Sequence, residues 1–389
     1  MPPSADANPP AAPLLVFADD WGRHPSSCQH LVGHLLPRHR VAWVNTIGMR
    51  TPRLDLATLR RGLEKAHQWL RPRAPRATEA LPANLSVHNP RMWPWFTRGL
   101  DRRLNCRLLR RALLPVVQAL PEPPVAVTTL PIVADLMGAL PVRRWVYYCV
   151  DDFSVWPGLD QKTLGALEEV VVRRADVLIA VSQTLQARLA VMGRESHLLT
   201  HGIDAEFWSG PGIPLETATL AGLKRPLVVF WGVTDRRMDT AFVRRLATDL
   251  AQGTILLVGP ADDPDPALLA LPRVVRRSPL PFAQLPALAR EAAVLVMPYA
   301  DLPVTRAIQP LKLKEYLATG RPVVVRRLPA TEPWGDCLDL ADTPEEFSMT
   351  VRRRLPEGLP EAQRGARARL AGEQWDEKAR LFARWAVEG

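Results

Sequence analysis

Long apolar runs are missing from this chain of 389 residues. No stretch approaches the roughly 18 apolar residues that read as a bilayer-spanning helix. The opening segment, MPPSADANPPAAPLLVFADDW, has no basic region ahead of its apolar run. That run is about five residues, too short for a secretory leader. Cysteine is scarce as well. Cys28, Cys106, Cys149 and Cys337 are far apart, with no C-x-x-C and no histidine at ligand spacing. This argues against a disulfide framework and a zinc site, and suits a reducing cytosol. No G-x-G-x-x-G fingerprint and no P-loop occurs, so hydride and phosphoryl transfer lose support. The expected location is the cytoplasm, with peripheral attachment to the inner face of the cell membrane as an added option.

Proline is plentiful, 39 against 22 glycines, and dispersed. That suggests many rigid turns between short elements. With 47% hydrophobic and 23% charged residues the chain can bury sizeable cores. Its length suits two or three domains. The formal charge is +10, and residues 1–125 carry 18 Lys+Arg against 8 Asp+Glu, a difference of +10. The basic excess therefore lies in the N-terminal third. Nucleic acid or an anionic membrane surface could answer it.

Short apolar runs alternate with helical patterns. Expected strands are 14–19, 40–46, 85–90, 125–131, 144–152, 176–182 and 197–202, then 226–232, 254–260, 294–299 and 321–327. Between them lie helix-length stretches such as 161–175, 183–193, 239–252, 282–293 and 309–319. Strands apolar on both faces mark parallel sheets covered by helices. The Gly/Pro-rich stretch 204–226 has no strand pattern and reads as a boundary. Two doubly wound α/β domains follow: 1–205, 206–372, and a helix at 373–389 that crosses back onto the first. Ligands of open parallel sheets bind beyond the carboxyl ends of the strands. The segments to inspect are DDWGRHPSS, DDFSVW, GVTDRRMD, ADD and ADLPVTRAIQPLK.

Read in order, several of these pieces resemble GT-B glycosyltransferases, in particular the family-4-like bacterial sugar transferases of exopolysaccharide and cell-surface glycan synthesis. They are ADVLIAVSQTLQARL (175–189), HGIDAEFW (201–208), VVFWGVTDRRMD (228–239), TILLVGP and QPLKLKEYLATGRPVV. The likeness covers roughly 140–330 and is only architectural over 1–130. It implies two Rossmann-like domains facing across a cleft, the first for the acceptor and the second for a nucleotide-sugar. It also implies no metal and no cofactor, the donor being a UDP- or GDP-sugar used as substrate. The family often carries two glutamates eight positions apart. Glu315 matches the second, which typically binds ribose hydroxyls, but the first is replaced by Ala307.

Glycosyl transfer expels a diphosphate, so cations and backbone donors aimed at it should dominate catalysis. Arg237 and Lys312 are the candidates, Lys312 in the first turn of a helix. Lys314 is expected to point to solvent. Gly232 and Gly259 end strands where backbone can approach a ligand. Thr234, Tyr299 and Pro310 complete the expected donor set. In YYCVDDFSVW, Asp151 or Asp152 can act as general base, the other being a turn or N-cap carboxylate. Asp20, Gly22, Arg23 and His24 are the expected acceptor contacts, whereas His30, His34 and His39 read as helix-surface residues. Trp93, Trp95 and Phe96 precede a helix with Leu100, Leu104 and Leu108 in one stripe and Arg103, Arg107, Arg110 and Arg111 on another face. That arrangement suits a membrane interface better than RNA. The resulting expectation is a hexosyltransferase-type enzyme acting on a lipid-linked or surface-polysaccharide acceptor, with no nucleic acid partner. A nucleotide-sugar epimerase of the same fold, or a non-enzymatic nucleotide-sugar-binding scaffold, stands as the alternative.

Overall fold

The computed structural model describes residues 11–22, 26–49 and 81–389. Its first sheet has strands β1 Ala11–Ala18, β2 His39–Asn45, β3 Leu85–His88, β4 Val125–Thr128, β5 Arg144–Cys149, β6 Val177–Ala180 and β7 His197–Leu198. They pair in the order β3-β2-β1-β4-β5-β6-β7, all in parallel. The second domain has β8 Leu227–Trp231, β9 Thr234–Asp235, β10 Thr254–Val258, β11 Ala261–Asp262, β12 Val274–Arg277, β13 Val294–Met297, β14 Val323–Arg326 and β15 Asp339–Ala341. Its main sheet runs β12-β10-β8-β13-β14-β15. The pair β9-β11 lies apart, just past the ends of β8 and β10. In both sheets the chain order reverses beside the first strand, which opens a crevice at the strand ends.

Strand composition explains the layering. Leu14, Leu15, Val16 and Phe17 are all fully buried, as are Val228, Val229 and Phe230. Such strands need helices on both faces. Those used below are α1 Ser27–Leu35, α2 Gly99–Gln118, α3 Gln161–Arg174, α4 Gln183–Val191, α5 Thr240–Asp249, α6 Leu311–Ala318, α7 Pro344–Glu357 and α8 Trp375–Ala383. Ser26, Asp160, Ser182 and Asp239 cap α1, α3, α4 and α5 by accepting first-turn N–H groups.

Two cores result. The first gathers residues 12–199, takes Ala307 from across the seam, and is closed by Trp375, Ala379, Phe382, Ala386 and Val387. Helix α8 thus packs on α1, far from it in sequence. The second core gathers residues from Ile203 to Leu370. Four strands of the second domain lie outside the sequence expectation. β12 is an edge strand whose residues are only partly buried or exposed, so VVRR lacks an apolar pattern. β15 is three residues long, and β9 and β11 two each.

Candidate functional site

The head of α6 meets the end of β8. Pro310 is the N-cap residue, at φ −68° and ψ 122°. Lys312, in the first turn, donates from Nζ to Tyr299 Oη at 2.6 Å and lies over the Phe230 ring at 5.0 Å. Gly232 sits directly beneath it. A Cβ there would fall 2.7 Å from Lys312 Nζ, and one on Gly259 would fall 2.1 Å from the Gly232 carbonyl oxygen. Both glycines have positive φ, +133° and +146°. Two strand ends are therefore packed backbone to backbone under a lysine, a geometry only glycine permits. Thr234 is fully buried beside them, and its hydroxyl has no partner among the described residues.

One turn on, Glu315 is buried and accepts a 3.2 Å hydrogen bond from Trp231 Nε1. Burial pushes its carboxyl up to about 7, against the pull of the Trp231 hydrogen bond and of Lys312. Lys312 and Glu315 thus lie on one face, as their spacing predicts.

Lys314 does not point to solvent. It is 3% exposed, and its ammonium donates to the His201 carbonyl and to Glu373 Oε2, the latter at 2.6 Å. The reason is the second use of α6: its far face packs against the interdomain linker. Lys378 Nζ reaches the same Glu373 oxygen at 2.6 Å. The Gln309 side chain accepts the His201 N–H. Residues 200–203 are thereby held between the head of α6 and the start of α8. Burial lowers Lys314 to about 8 although Glu373 opposes the shift.

Across the cleft, the two aspartates after β5 separate. Asp152 is buried; its Oδ1 accepts from the Ser154 N–H at 3.0 Å, and its Oδ2 lies 3.1 Å from Arg188 Nε. Arg188 also holds the fully buried Glu168 at 2.7 Å, and Glu168 accepts from Tyr147 Oη at 2.8 Å. Asp152 is thus a turn carboxylate fixed from behind. The Asp151 carboxylate makes no hydrogen bond among the described residues. Burial, with Asp19 and Asp152 adding, raises it to about 7 against Arg237.

Arg237 is held by a neighbouring carboxylate. It forms a forked pair with Asp235, at 2.9 Å from Nε and 2.7 Å from Nη2 to Oδ2. Its guanidinium also lies 4.7 Å over the ring of Trp156, a first-domain residue. It therefore bridges the domains and supplies positive charge near Asp151.

Of the expected acceptor contacts, Arg23 and His24 lie outside the described residues. Gly22 turns at φ +73°, and its N–H donates to Gln29 Oε1 at 3.1 Å. The Asp20 carbonyl accepts from Gln29 Nε2 at 3.4 Å. The histidines expected on a helix surface split. His34 is exposed, His39 starts β2 and is buried with Nδ1 2.8 Å from the Ala12 carbonyl, and His30 stacks on Trp375 at 4.9 Å. A cavity of about 90 Å³ lies there, lined by His30, Gly202, Phe207, Trp208, Phe282, Trp375 and Glu315 among others. The linker aromatics of HGIDAEFW are its signal in the sequence, although nothing local says that they face a void.

Helix α2 buries Asn105, Leu109, Leu113 and Val117. Leu100 and Leu104 are left 75% and 40% exposed beside Arg103, Arg107, Arg110 and Arg111. A groove of about 910 Å³ runs along these arginines, Arg102 and Asp135. Among the described residues no helix is long and apolar enough to cross a membrane, and no cluster of three or more His, Cys, Asp and Glu is placed to hold a metal.

No family model matches the sequence. The putative teichuronic acid biosynthesis glycosyltransferase TuaH of Bacillus subtilis is 27% identical over 226 residues, 55% of this chain and 57% of that protein. The match thus spans little more than half of that curated relative. Solved structures align along nearly the whole chain. Sucrose-phosphate synthase from Thermosynechococcus elongatus has a TM-score of 0.69 at 16% identity, covering 96% of this chain and 98% of that one. Anabaena HepE in complex with UDP and glucose has 0.62 at 15%, covering 96% and 98%. An Escherichia coli trehalose-6-phosphate protein bound with UDP-2-fluoro glucose has 0.66 at 12%, covering 95% and 98%. Two parallel sheets with matching switch points, joined by a clamped linker, agree with these neighbours: the chain has the GT-B fold of glycosyltransferases, with two Rossmann-like domains facing across a cleft.

Proposed function

We propose that this protein is a glycosyltransferase that moves a sugar from a nucleotide-sugar, a UDP- or GDP-sugar, to a lipid-linked or surface-polysaccharide acceptor without a metal. The observation that carries the reading is the head of α6: Lys312 over the Gly232–Gly259 contact, with buried Glu315 one turn away. Lys312 and the first-turn N–H groups neutralise the charge that grows on the leaving oxygen of a diphosphate placed there. Glu315 accepts the ribose hydroxyls. Thr234, Tyr299, Pro310 and the glycines shape the pocket, and Arg237 completes its positive field from its place on Asp235. The UDP and glucose bound to HepE support a sugar donor of this kind.

In this reading residues 1–205 receive the acceptor, 206–372 hold the donor, and 373–389 cross back. Asp151 takes the proton from the acceptor hydroxyl, and Asp152 with Arg188 holds the loop that presents it. Asp20, Gly22, Arg23 and His24 contact the acceptor. The exposed leucines and arginines of α2, with Trp93 at its head, rest on the anionic inner face of the cell membrane and bring the enzyme to a lipid-linked acceptor. The protein is then cytoplasmic and peripheral.

The test is transfer itself. Radiolabelled UDP- and GDP-sugars are incubated with the full chain and a membrane extract carrying lipid-linked glycans. Label should move into the organic-extractable fraction and fail to do so with Glu315→Ala. Interconversion of free nucleotide-sugars without transfer would favour an epimerase; binding without turnover would favour a scaffold.

A further inference from the structure

The loop that follows β5 is held at two points, one in each domain. Near its start, Asp152 is fixed by Arg188 at 3.1 Å, and Ser154 Oγ accepts from the same guanidinium at 3.4 Å. Phe153 belongs to the first core, whereas Val155 and Trp156 pack against the second. Trp156 is half-buried there, with the Arg237 guanidinium 4.7 Å over its ring. Residues 151–156 thus span the seam between the domains, with Asp151 at their head.

The guanidinium on Trp156 is itself fixed from the donor side. Its fork with Asp235 sets its plane, and the Arg237 carbonyl accepts the Ala300 N–H at 2.7 Å. The Tyr299 ring lies 5.9 Å from it. Tyr299 Oη in turn accepts from Lys312 Nζ at 2.6 Å. A chain of contacts therefore runs from Lys312 through Tyr299, Arg237 and Trp156 to the loop that begins with Asp151. A planar cation seated on an aromatic face is held in direction as well as in place.

We infer that Trp156 is a positioning residue for the transfer step: through Arg237 it fixes the Asp151 loop against the donor domain, so that contact between the domains sets the base. The inference rests on the reading of Asp151 as base and Lys312 as diphosphate site. It adds that the base is governed from the domain opposite its own. Asp151 faces Arg237, Asp19 beyond β1, Asp152, and Cys149 of β5. Of these, Arg237 is the cation, and it favours the carboxylate form that a base requires. Without the ring beneath it the guanidinium can turn away, and Asp151 then keeps its proton to higher pH.

Trp156→Leu keeps bulk and removes the aromatic face, whereas Trp156→Phe keeps a face. Both are compared with wild type in transfer from the labelled nucleotide-sugar that wild type uses, with melting curves alongside. Trp156→Leu should lower turnover about tenfold or more, as a misplaced base does, with the donor KM within about twofold of wild type. The acid limb of its turnover–pH profile should move up by about half a unit or more. Trp156→Phe should recover most of both. Arg237→Gln, which removes the charge and leaves Trp156 in place, should move the acid limb the same way, so the test does not depend on one variant folding. An unmoved acid limb in these variants overturns the inference, as does wild-type turnover in Trp156→Leu or a Phe variant no better than Leu. Asp151→Asn separates the two readings. If it loses turnover while Trp156→Leu does not, the base stands and only the coupling falls; if it keeps wild-type turnover, both fall. If wild type transfers no sugar, the proposed function falls and the inference with it.

Discussion

Lys314 Nζ lies 2.6 Å from Glu373 Oε2, and Lys378 Nζ lies 2.6 Å from the same oxygen. One carboxylate thus joins α6, the linker and α8. Removing it leaves two buried cations side by side. Glu373→Gln should lower the unfolding free energy by about 3 kcal/mol, the range for breaking a buried ion pair. Lys314→Met, which removes charge and keeps bulk, should cost less. Urea denaturation reads both, and a shift in Glu373→Gln no larger than in Lys314→Met would count against the triad.

Asp151→Asn should lower turnover by about 10²–10⁴, the range for a general base, with nucleotide affinity nearly unchanged. Asp152→Asn should behave differently, weakening stability through the lost Arg188 pair. Steady-state kinetics beside melting curves separates the two. Equal turnover losses with equal stability would remove the distinction drawn between them.

Asp151 also predicts a pH effect on stability. Its carboxyl ordinarily ionises near 3.8 and in the folded chain near 7. Between these values the folded protein keeps a proton that the unfolded chain has released. The contribution of this group therefore falls as pH rises through that window. Asp151→Asn, which cannot ionise, should melt higher than wild type at pH 8, and the gap should close by pH 4. A gap that widens on acidification would contradict the assignment.

Gly259→Ala should be tolerated worst among the strand-end glycines, since its Cβ would run into the Gly232 carbonyl at 2.1 Å. Strain at such positions is about 1–3 kcal/mol. A thermal shift combined with loss of nucleoside diphosphate binding is expected. Wild-type melting and binding would show that the two strand ends are not in contact.

Replacing Arg103, Arg107, Arg110 and Arg111 with Gln should weaken co-sedimentation with anionic liposomes by about 1 kcal/mol per charge. Neutral liposomes should bind neither protein. Unchanged binding at moderate salt would put the membrane face elsewhere.

The parallel sheets could be read from the sequence because β-branched runs set between helices are buried on both faces in few folds besides these. Lys312 and Glu315 could be placed because a helix fixes which side chains share a face. Lys314 could not, since its partners lie in the linker and in α8, and helical spacing says only that it faces elsewhere. His30 was obscure for a similar reason: its environment is made by Trp375, hundreds of residues away in the chain. Asp151 and Asp152 could be told apart only once Arg188 and Glu168 were seen behind one of them. Strand β12 escaped because an edge strand need not be apolar.

Chains are made from the amino end, and domains commonly fold in that order. Here the first core waits for Trp375, Phe382 and Val387. While the second domain emerges from the ribosome, α1 still shows the surface that α8 will cover. The half made first is thus finished last. A chaperone that recognises exposed apolar helix surface would find its target on the first domain until the final turns of α8 are synthesised.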